Sequence, residues 1–437
     1  MRFPETGTLS HCKCLSLLQN CVSLDISLRK YRNGEIGRAM LPQLSRVLVE
    51  YDKTSTEYTH PLPFKREIAA TLLAASRFSD SVWKMEALAR AKELLKHDPD
   101  RFLNAWLTYR ESVLLRMSGR QTESDYCLEA FVQSKVLPSE DKKSENTPRY
   151  NAQRGELVVS FAENLIREGK HEAAQDELNE WSPLDPDKPS TLERITARAR
   201  NITLGKVLRY QGHFQAAVKL LEEVLEESRT DDCFDGTGWY RVLLSGIADL
   251  YCELGRPCDA EKLLQQELEP MAQRGTQDIA TGRRLRVSLA EAFFQQNMPD
   301  QAEEILVSLK AVFEAMTRPD HATRIVFFRV LVALARVYHW QARWGEALSY
   351  WTQALRAAGC LKMDAGFHAG IIRYSITHVL HVMSEREQSH EMLLEANRNI
   401  TSEPRVFWVT GFSSQWHDYI VRAVEEECSN SCGHDKA

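Results

Sequence analysis

No run of apolar residues in this chain approaches the ~18 that a membrane-crossing helix needs, so a helical membrane span is excluded. Basic excess is lacking too: 55 Lys and Arg stand against 61 Asp and Glu, a formal net charge of −6 spread along the sequence. A large sequence-independent nucleic-acid surface needs that excess, so no nucleic-acid partner is expected. The opening MRFPETGTLSHCKCLSLLQNC has no clean apolar core ahead of a small-residue cleavage site, and no secretory leader is expected. Paired cysteine spacing is missing as well. Cys127, Cys233, Cys252, Cys258 and Cys360 lie far apart, which fits reduced thiols in the cytoplasm or the nucleus. Two clusters, His11-Cys12-Lys13-Cys14 with Cys21 and Cys428 with Cys432 and His434, lack the CxxC knuckles of a structural zinc site. The triplets Asn201-Ile202-Thr203 and Asn399-Ile400-Thr401 match the glycosylation acceptor but read as chance matches without a leader.

Catalytic signatures are lacking in the same way. There is no GxxxxGK[ST] phosphate loop, no GxSxG elbow and no HExxH pair. Asp235-Gly236-Thr237-Gly238 departs from the Asp-Thr/Ser-Gly order of an aspartic protease and falls in a turn between helices. Tyr374, His378 and His381 form one helical row, read as lining or partly buried rather than metal-binding. The expectation is a protein with no enzyme activity, no cofactor and no metal.

What is present is a folded composition, 43% hydrophobic and 27% charged over 437 residues, and an internal repeat. Ala174 closes LIREGKHEAA, Ala217 closes VLRYQGHFQAA, Ala260 closes LYCELGRPCDA, Ala302 closes FFQQNMPDQA and Ala347 closes VYHWQARWGEA. The positions differ by 43, 43, 42 and 45. Weaker copies end on Ser389 (HVMSEREQS), Ser124 (LRMSGRQTES), Ala87 and Ala39. Each copy has a turn residue (Gly169, Gly212, Gly255, Asn297, Ala342) five before the alanine, and a small residue seven before that turn: Ala162, Gly205, Ala248, Ala290, Ala335. A bulky residue follows three later (Leu165, Leu208, Tyr251, Phe293, Tyr338), and another lies four past the alanine (Leu178, Leu221, Leu264, Leu306, Trp351). Spacings of three, four and seven place these on one helical face. The pattern predicts helical hairpins: small residues where two helices approach, a left-handed residue where the first ends, and stacking of neighbours over the apolar faces.

This pattern resembles the tetratricopeptide repeat, strongly from about residue 155 onward and loosely before it. The period near 43 is longer than the family's usual ~34. It is similar to the extended arrays of kinesin light chains and of STAND-type ATPase sensors, and to repeat proteins of filamentous fungi. The resemblance implies an all-α fold, a right-handed α-α superhelix of about 7–9 hairpins with a C-terminal capping helix. The expected organisation is a loose segment at 1–22, irregular hairpins at 23–137 and a mobile loop at 138–152. A regular array at 153–399 and a capping helix with a frayed tail at 400–437 follow. Breaks are expected at WSPLDPDKPS (181–190) and DDCFDGTG (231–238).

In such arrays the first helix of each hairpin lines an inner groove. Carried onto this chain, that implies a lining of Lys206, Arg209, Tyr210, Asp249, Arg284, Glu291, Arg329, Arg336, His339, Trp340 and His378. The carboxylate clamp that binds Hsp70 and Hsp90 tails is absent, because its places hold Ile202, Lys206 and Asp249. The mixed lining suits a protein or peptide with both charge signs and apolar anchors, so a scaffold or adaptor is the leading expectation. Charge reversal at Arg209 and Arg336 is expected to weaken binding without unfolding. The alternatives are a subunit of a larger helical-repeat assembly, or an accessory protein or enzyme of a fungal pathway.

Overall fold

The computed structural model describes residues 41–46, 48–49, 52, 62–76, 81–98, 100–134, 147–229, 238–317, 319–401, 405–413 and 415–434. The loose segment at 1–22, Ala39, the loop residues 138–146 and most of the 231–238 break lie outside them, as do the side chains of Cys428, Cys432 and His434. Among the described residues every regular element is an α-helix. No helix of the described residues is long and apolar enough to cross a membrane. Cys127, Cys252, Cys258 and Cys360 are free thiols.

The hairpin is set by one device repeated at Gly119, Gly169, Gly212, Gly255, Asn297, Ala342 and Ser384, all of which have positive φ, from 57° to 83°. A left-handed residue lets the next N–H reach back and satisfy a carbonyl that the helix end leaves open. So His213 N donates to Leu208 O at 2.8 Å, Arg256 N to Tyr251 O at 2.7 Å, and Arg343 N to Tyr338 O at 2.9 Å. The acceptor is each time the bulky residue of the motif. The alanine five past the turn is fully buried in every copy (Ala174, Ala217, Ala260, Ala302, Ala347), and the large residue four further on is buried too. At Gly205 a Cβ would lie 2.4 Å from Leu221 Cδ2, which explains why the closest helix pair carries a glycine rather than alanine.

The chain forms two compact units, residues 1–203 with 226–240 and residues 204–225 with 241–437. The first contains α1 (Leu62–Ala75), α2 (Ser81–Leu94), α3 (Arg101–Met117), α4 (Gln121–Ser134), α5 (Pro148–Arg167) and α6 (His171–Glu180), with the start of α7 (Thr191–Tyr210). Ile68, Leu72, Ala91 and Trp106 anchor its core. Here the α3/α4 hairpin follows the common register, with Ser124 fully buried. Ala87 does not: Val82, five before it, is already inside α2, so the turn does not stand at the expected offset. The expected 138–152 loop is also shorter at its end. Thr147 accepts from Tyr150 N and Pro148 opens α5, where its missing N–H costs nothing.

The second unit holds the end of α7, most of α8 (Phe214–Arg229) and four hairpins, the first of which begins just before residue 241. They are α9 (Gly238–Glu253) with α10 (Pro257–Gln273), and α11 (Ala280–Gln295) with α12 (Pro299–Glu314). Then come α13 (His321–Trp340) with α14 (Trp344–Cys360), and α15 (Phe367–Val382) with α16 (Arg386–Ile400). Trp351 and Phe328 are completely enclosed in its core. The last helix, α17 (Gln415–His434), forms where a capping helix is expected, but it does not simply close the end of the array. Trp416 sits 6.2 Å from Phe294 of α11 and 5.1 Å from His339 of α13, and donates to Ser375 Oγ of α15 at 3.0 Å. The helix therefore lies across three successive first helices. Their aromatic and small residues give its apolar row, Trp416, Ile420 and Val424, more to bury against than one terminal hairpin could offer.

Candidate functional site

Because each first helix ends on the same left-handed turn, residues at one offset from that turn line up between hairpins. Six before the turn stand Lys206, Asp249, Glu291, Arg336 and His378; three before it stand Arg209, Cys252, Phe294, His339 and His381. These rows carry charges of both signs, and the charges find one another. Arg209 Nη1 lies 2.9 Å from Asp249 Oδ2, and Arg329 Nη2 lies 3.0 Å from Asp249 Oδ1. Ser288 Oγ also donates to Asp249, at 2.8 Å, while Arg284 Nε reaches Ser245 Oγ at 3.2 Å. Arg336 Nη1 pairs with Glu291 Oε2 at 2.7 Å. Burial would push the Asp249 carboxyl up, but Arg329 and Arg209 outweigh it and hold it at about 2. Glu253, in contrast, is pushed up by burial, with Ser413 and Arg209 offsetting only part of that.

Further along the same face, His339 and His378 stack 4.9 Å apart at an interplanar angle of 8°. Trp351 Nε1 donates to His339 Nδ1 at 3.3 Å, so the hydrogen-bond pattern places the His339 proton on Nε2, which donates to His378 Nδ1 at 2.8 Å. Burial, with each ring's histidine neighbour adding to it, lowers His339 to about 3 and His378 to about 4. Both rings are neutral at physiological pH.

This face is not bare. Residues 405–408 cross it without regular structure and 409–413 turn, Phe412 N reaching back to Val409 O at 3.4 Å, and the face reads their backbone at alternate groups. Phe407 N donates to Tyr210 O at 3.0 Å, Val409 N to His368 Nε2 at 3.2 Å and Gly411 N to Glu253 Oε1 at 2.8 Å. In between, the Trp408 carbonyl accepts from Arg209 Nη2 at 3.4 Å and the Thr410 carbonyl from Arg336 Nη1 at 3.3 Å. The Thr410 hydroxyl takes a further 2.8 Å bond from Arg209 Nη2, and Ser413 Oγ donates to Glu253. Side chains fill the remaining spaces. Phe407 packs on Gly212, where a Cβ would meet its ring at 2.9 Å, and Trp408 stacks on Phe328 at 5.1 Å. Phe412 is wholly enclosed, between Trp351 and His368.

The structure brings Arg209, Asp249, Arg284, Glu291, Arg329 and Arg336 together as one buried ion-pair cluster, with His339 and His378 as a stacked pair nearby. Lys206 and Tyr210 are half-buried, and Trp340 is 47% exposed and bonded to Asn297 Oδ1. The expectation that Arg209 and Arg336 can be reversed without unfolding does not survive. They are only 5% and 1% exposed, and a glutamate at either place would face Asp249 or Glu291 in a buried setting. Sequence reasoning missed the residues that lie on the face: Phe407, Trp408, Thr410, Gly411 and Phe412, together with His368. The signal was there in VFWVTGF, an uncharged β-branched and aromatic run just after Pro404 and Arg405 in an otherwise helical chain.

Residues 202–230 match the family model of the tetratricopeptide repeat. No curated protein matches the chain by sequence. Among solved structures, a Rap protein complexed with competence and sporulation factor superposes with a TM-score of 0.53 at 10% identity, covering 84% of this chain and 99% of its own. The apo form of RapI gives a TM-score of 0.46 at 12% identity, covering 89% and 98%. The apo form of the quorum sensor NprR from B. thuringiensis gives 0.44 at 12% identity, covering 89% and 99%. The first of these likenesses shows a shared helical-repeat fold.

Proposed function

We propose that this chain, a helical-repeat protein of tetratricopeptide type, is a non-catalytic interaction scaffold that holds a non-helical segment of a partner protein on its first-helix face. One observation carries the reading. The face binds residues 405–413 by their backbone, taking the N–H of 407, 409 and 411 and the carbonyls of 408 and 410 in alternation. That is how a surface recognises a non-helical chain by its main-chain groups, with pockets between the backbone contacts selecting side chains. The Rap likeness, a complex with competence and sporulation factor, supports a binding role on analogy of fold. Nothing on the face suits chemistry: Asp249 and Glu291 are engaged in ion pairs, and the His339–His378 pair is sealed beneath Trp416 and Tyr419.

The test is site-specific photo-crosslinking in extracts of the source organism, with the crosslinker at Trp340 on the rim and, as control, at Tyr126, which is 75% exposed in the other unit. A partner-derived peptide should be captured at Trp340 and not at Tyr126. Capture at neither place, or equally at both, refutes the reading.

A further inference from the structure

We propose that residues 405–413 act as a built-in competitor, holding the face closed against a partner segment with the chemistry of Val406–Phe412: uncharged, aromatic and turning at a glycine in the Gly411 place. This rests on the scaffold reading above. Three observations lead to it.

First, the ion pairs of the face do not depend on the segment. Arg209 and Arg329 pair with Asp249, and Arg336 with Glu291, through contacts that involve no residue of 405–413. Leaving therefore strands no ion pair. A basic ligand residue would be desolvated here beside four guanidiniums and two carboxylates already engaged, which favours an occupant as free of Lys and Arg as Val406–Phe412.

Second, the occupant is selected sharply at one position. Gly411 has φ of +81°, and a Cβ there would lie 2.4 Å from Glu291 Oε1 and 2.7 Å from both terminal nitrogens of Arg336. Any larger residue has to break the Arg336–Glu291 pair to enter. Aromatic positions on either side complete the pattern, Phe407 over the α7–α8 turn and Phe412 beside Trp351.

Third, the fit is incomplete in the way expected of a segment meant to leave. Arg336 Nε and Nη2 are buried without a hydrogen-bond partner. A small unfilled space beside them is lined by Val287, Glu291, Arg329 and Val332 and closed by Val409 and Thr410. A buried donor left unmade costs about 1–3 kcal/mol, so a partner segment that supplies an acceptor there gains over the tethered one. That gain is what intermolecular binding needs to overcome the high effective concentration of a segment on the same chain.

The test uses the full chain and a fluorescein-labelled nonapeptide, RVFWVTGFS, followed by fluorescence anisotropy. Gly411→Leu should expel the chain's own segment, so the peptide binds that variant at least about tenfold more tightly than the wild type, the closed fraction having been removed. The peptide carrying the same glycine-to-leucine change should not bind. Should Gly411→Leu fail to keep wild-type helicity by circular dichroism, the double variant Phe407→Ala/Trp408→Ala opens the segment's other end and carries the comparison. Equal affinity for variant and wild type, or no binding to a folded variant, overturns the proposal. So does an opened chain that elutes as a dimer and excludes the peptide, since the occupant is then a second copy. Crosslinking at Trp340 of the wild type separates the two claims: a partner captured there while the peptide assay fails leaves the scaffold reading standing without the competitor.

Discussion

Arg209 donates to Asp249 across a 2.9 Å contact between successive first helices, and the two side chains are 6% and 0% exposed. Arg329 approaches the same carboxylate from α13, so one anion serves two cations inside the protein. Taking three charges out of water is expensive, and the cluster holds only because both cations share the Asp249 carboxylate.

Replacing the carboxylate with an amide should therefore be severe. Asp249→Asn keeps the shape but leaves two guanidiniums facing each other in a buried setting. A loss of about 3–5 kcal/mol is expected, read as a lower urea midpoint at unchanged slope. Arg336→Glu should cost at least as much, since it sets a carboxylate against Glu291. A midpoint within experimental error of wild type for either variant contradicts the buried-cluster account.

At the turns, glycine is missing from three places that favour it. Ala342 has φ of 57°, where an L residue with a Cβ is strained by roughly 1–2 kcal/mol. Ala342→Gly removes that strain but gives the unfolded chain more freedom, about 0.4–1 kcal/mol in the other direction. The net expectation is stabilisation of about 0.5–1 kcal/mol, visible as a small rise in Tm. The reverse change, Gly212→Ala, should destabilise, and by more, since its new Cβ would also press on Phe407 at 2.9 Å.

Gly205 and Leu221 form a size-matched pair. In isolation glycine costs a helix about 1 kcal/mol relative to alanine. Gly205→Ala should nevertheless destabilise, because the added Cβ would fall 2.4 Å from Leu221 Cδ2 and overpacking of this kind costs about 1–3 kcal/mol. On a Leu221→Ala background the same substitution should become neutral or stabilising. A double-mutant cycle by urea unfolding measures the coupling; additive effects would mean the two residues do not compete for that space.

The repeat was readable because its demands are local. A left-handed turn, a small residue seven before it and an alanine five after it follow from hairpin geometry alone, and they also locate Gly119 and Ser384 in the weaker copies. Offsets from the turn likewise placed Arg209, Asp249, Glu291 and Arg336 on one face. What the offsets could not convey was that the chain covers this face itself. Glu253 and Gly411 are 158 residues apart, and Arg209 and Thr410 are 201 apart. No periodicity links a non-helical segment to helices so distant, so a lining that reads as solvent-facing is buried. The early register failed at Ala87 for a related reason: a buried alanine recurs in many helices, and only the turn before it identifies the hairpin.

Acid should loosen this unit well before its carboxylates titrate. His339, His368 and His378 are held near 3, 3 and 4 chiefly by burial, against about 6.5 in an unfolded chain. Their folded values are depressed, so between those limits the unfolded chain binds more protons. The stability they permit is complete above about pH 6.5 and is lost as pH falls toward about 4, each group contributing up to ~1.4 kcal/mol per pH unit. Glu253 acts in the opposite sense, its raised carboxyl favouring the folded state as pH falls, but it is one group against three. Asp249, held at about 2, enters only below about pH 4. His368 has a second role, because its Nε2 accepts from Val409 N and its protonation would both lose that bond and place a cation beside Arg209. Urea midpoints measured from pH 7 to 4.5 should therefore decline steadily, and His368→Gln, which cannot titrate, should flatten the slope. A flat wild-type profile, or an unchanged slope in His368→Gln, would show that these rings are not held neutral in the folded protein.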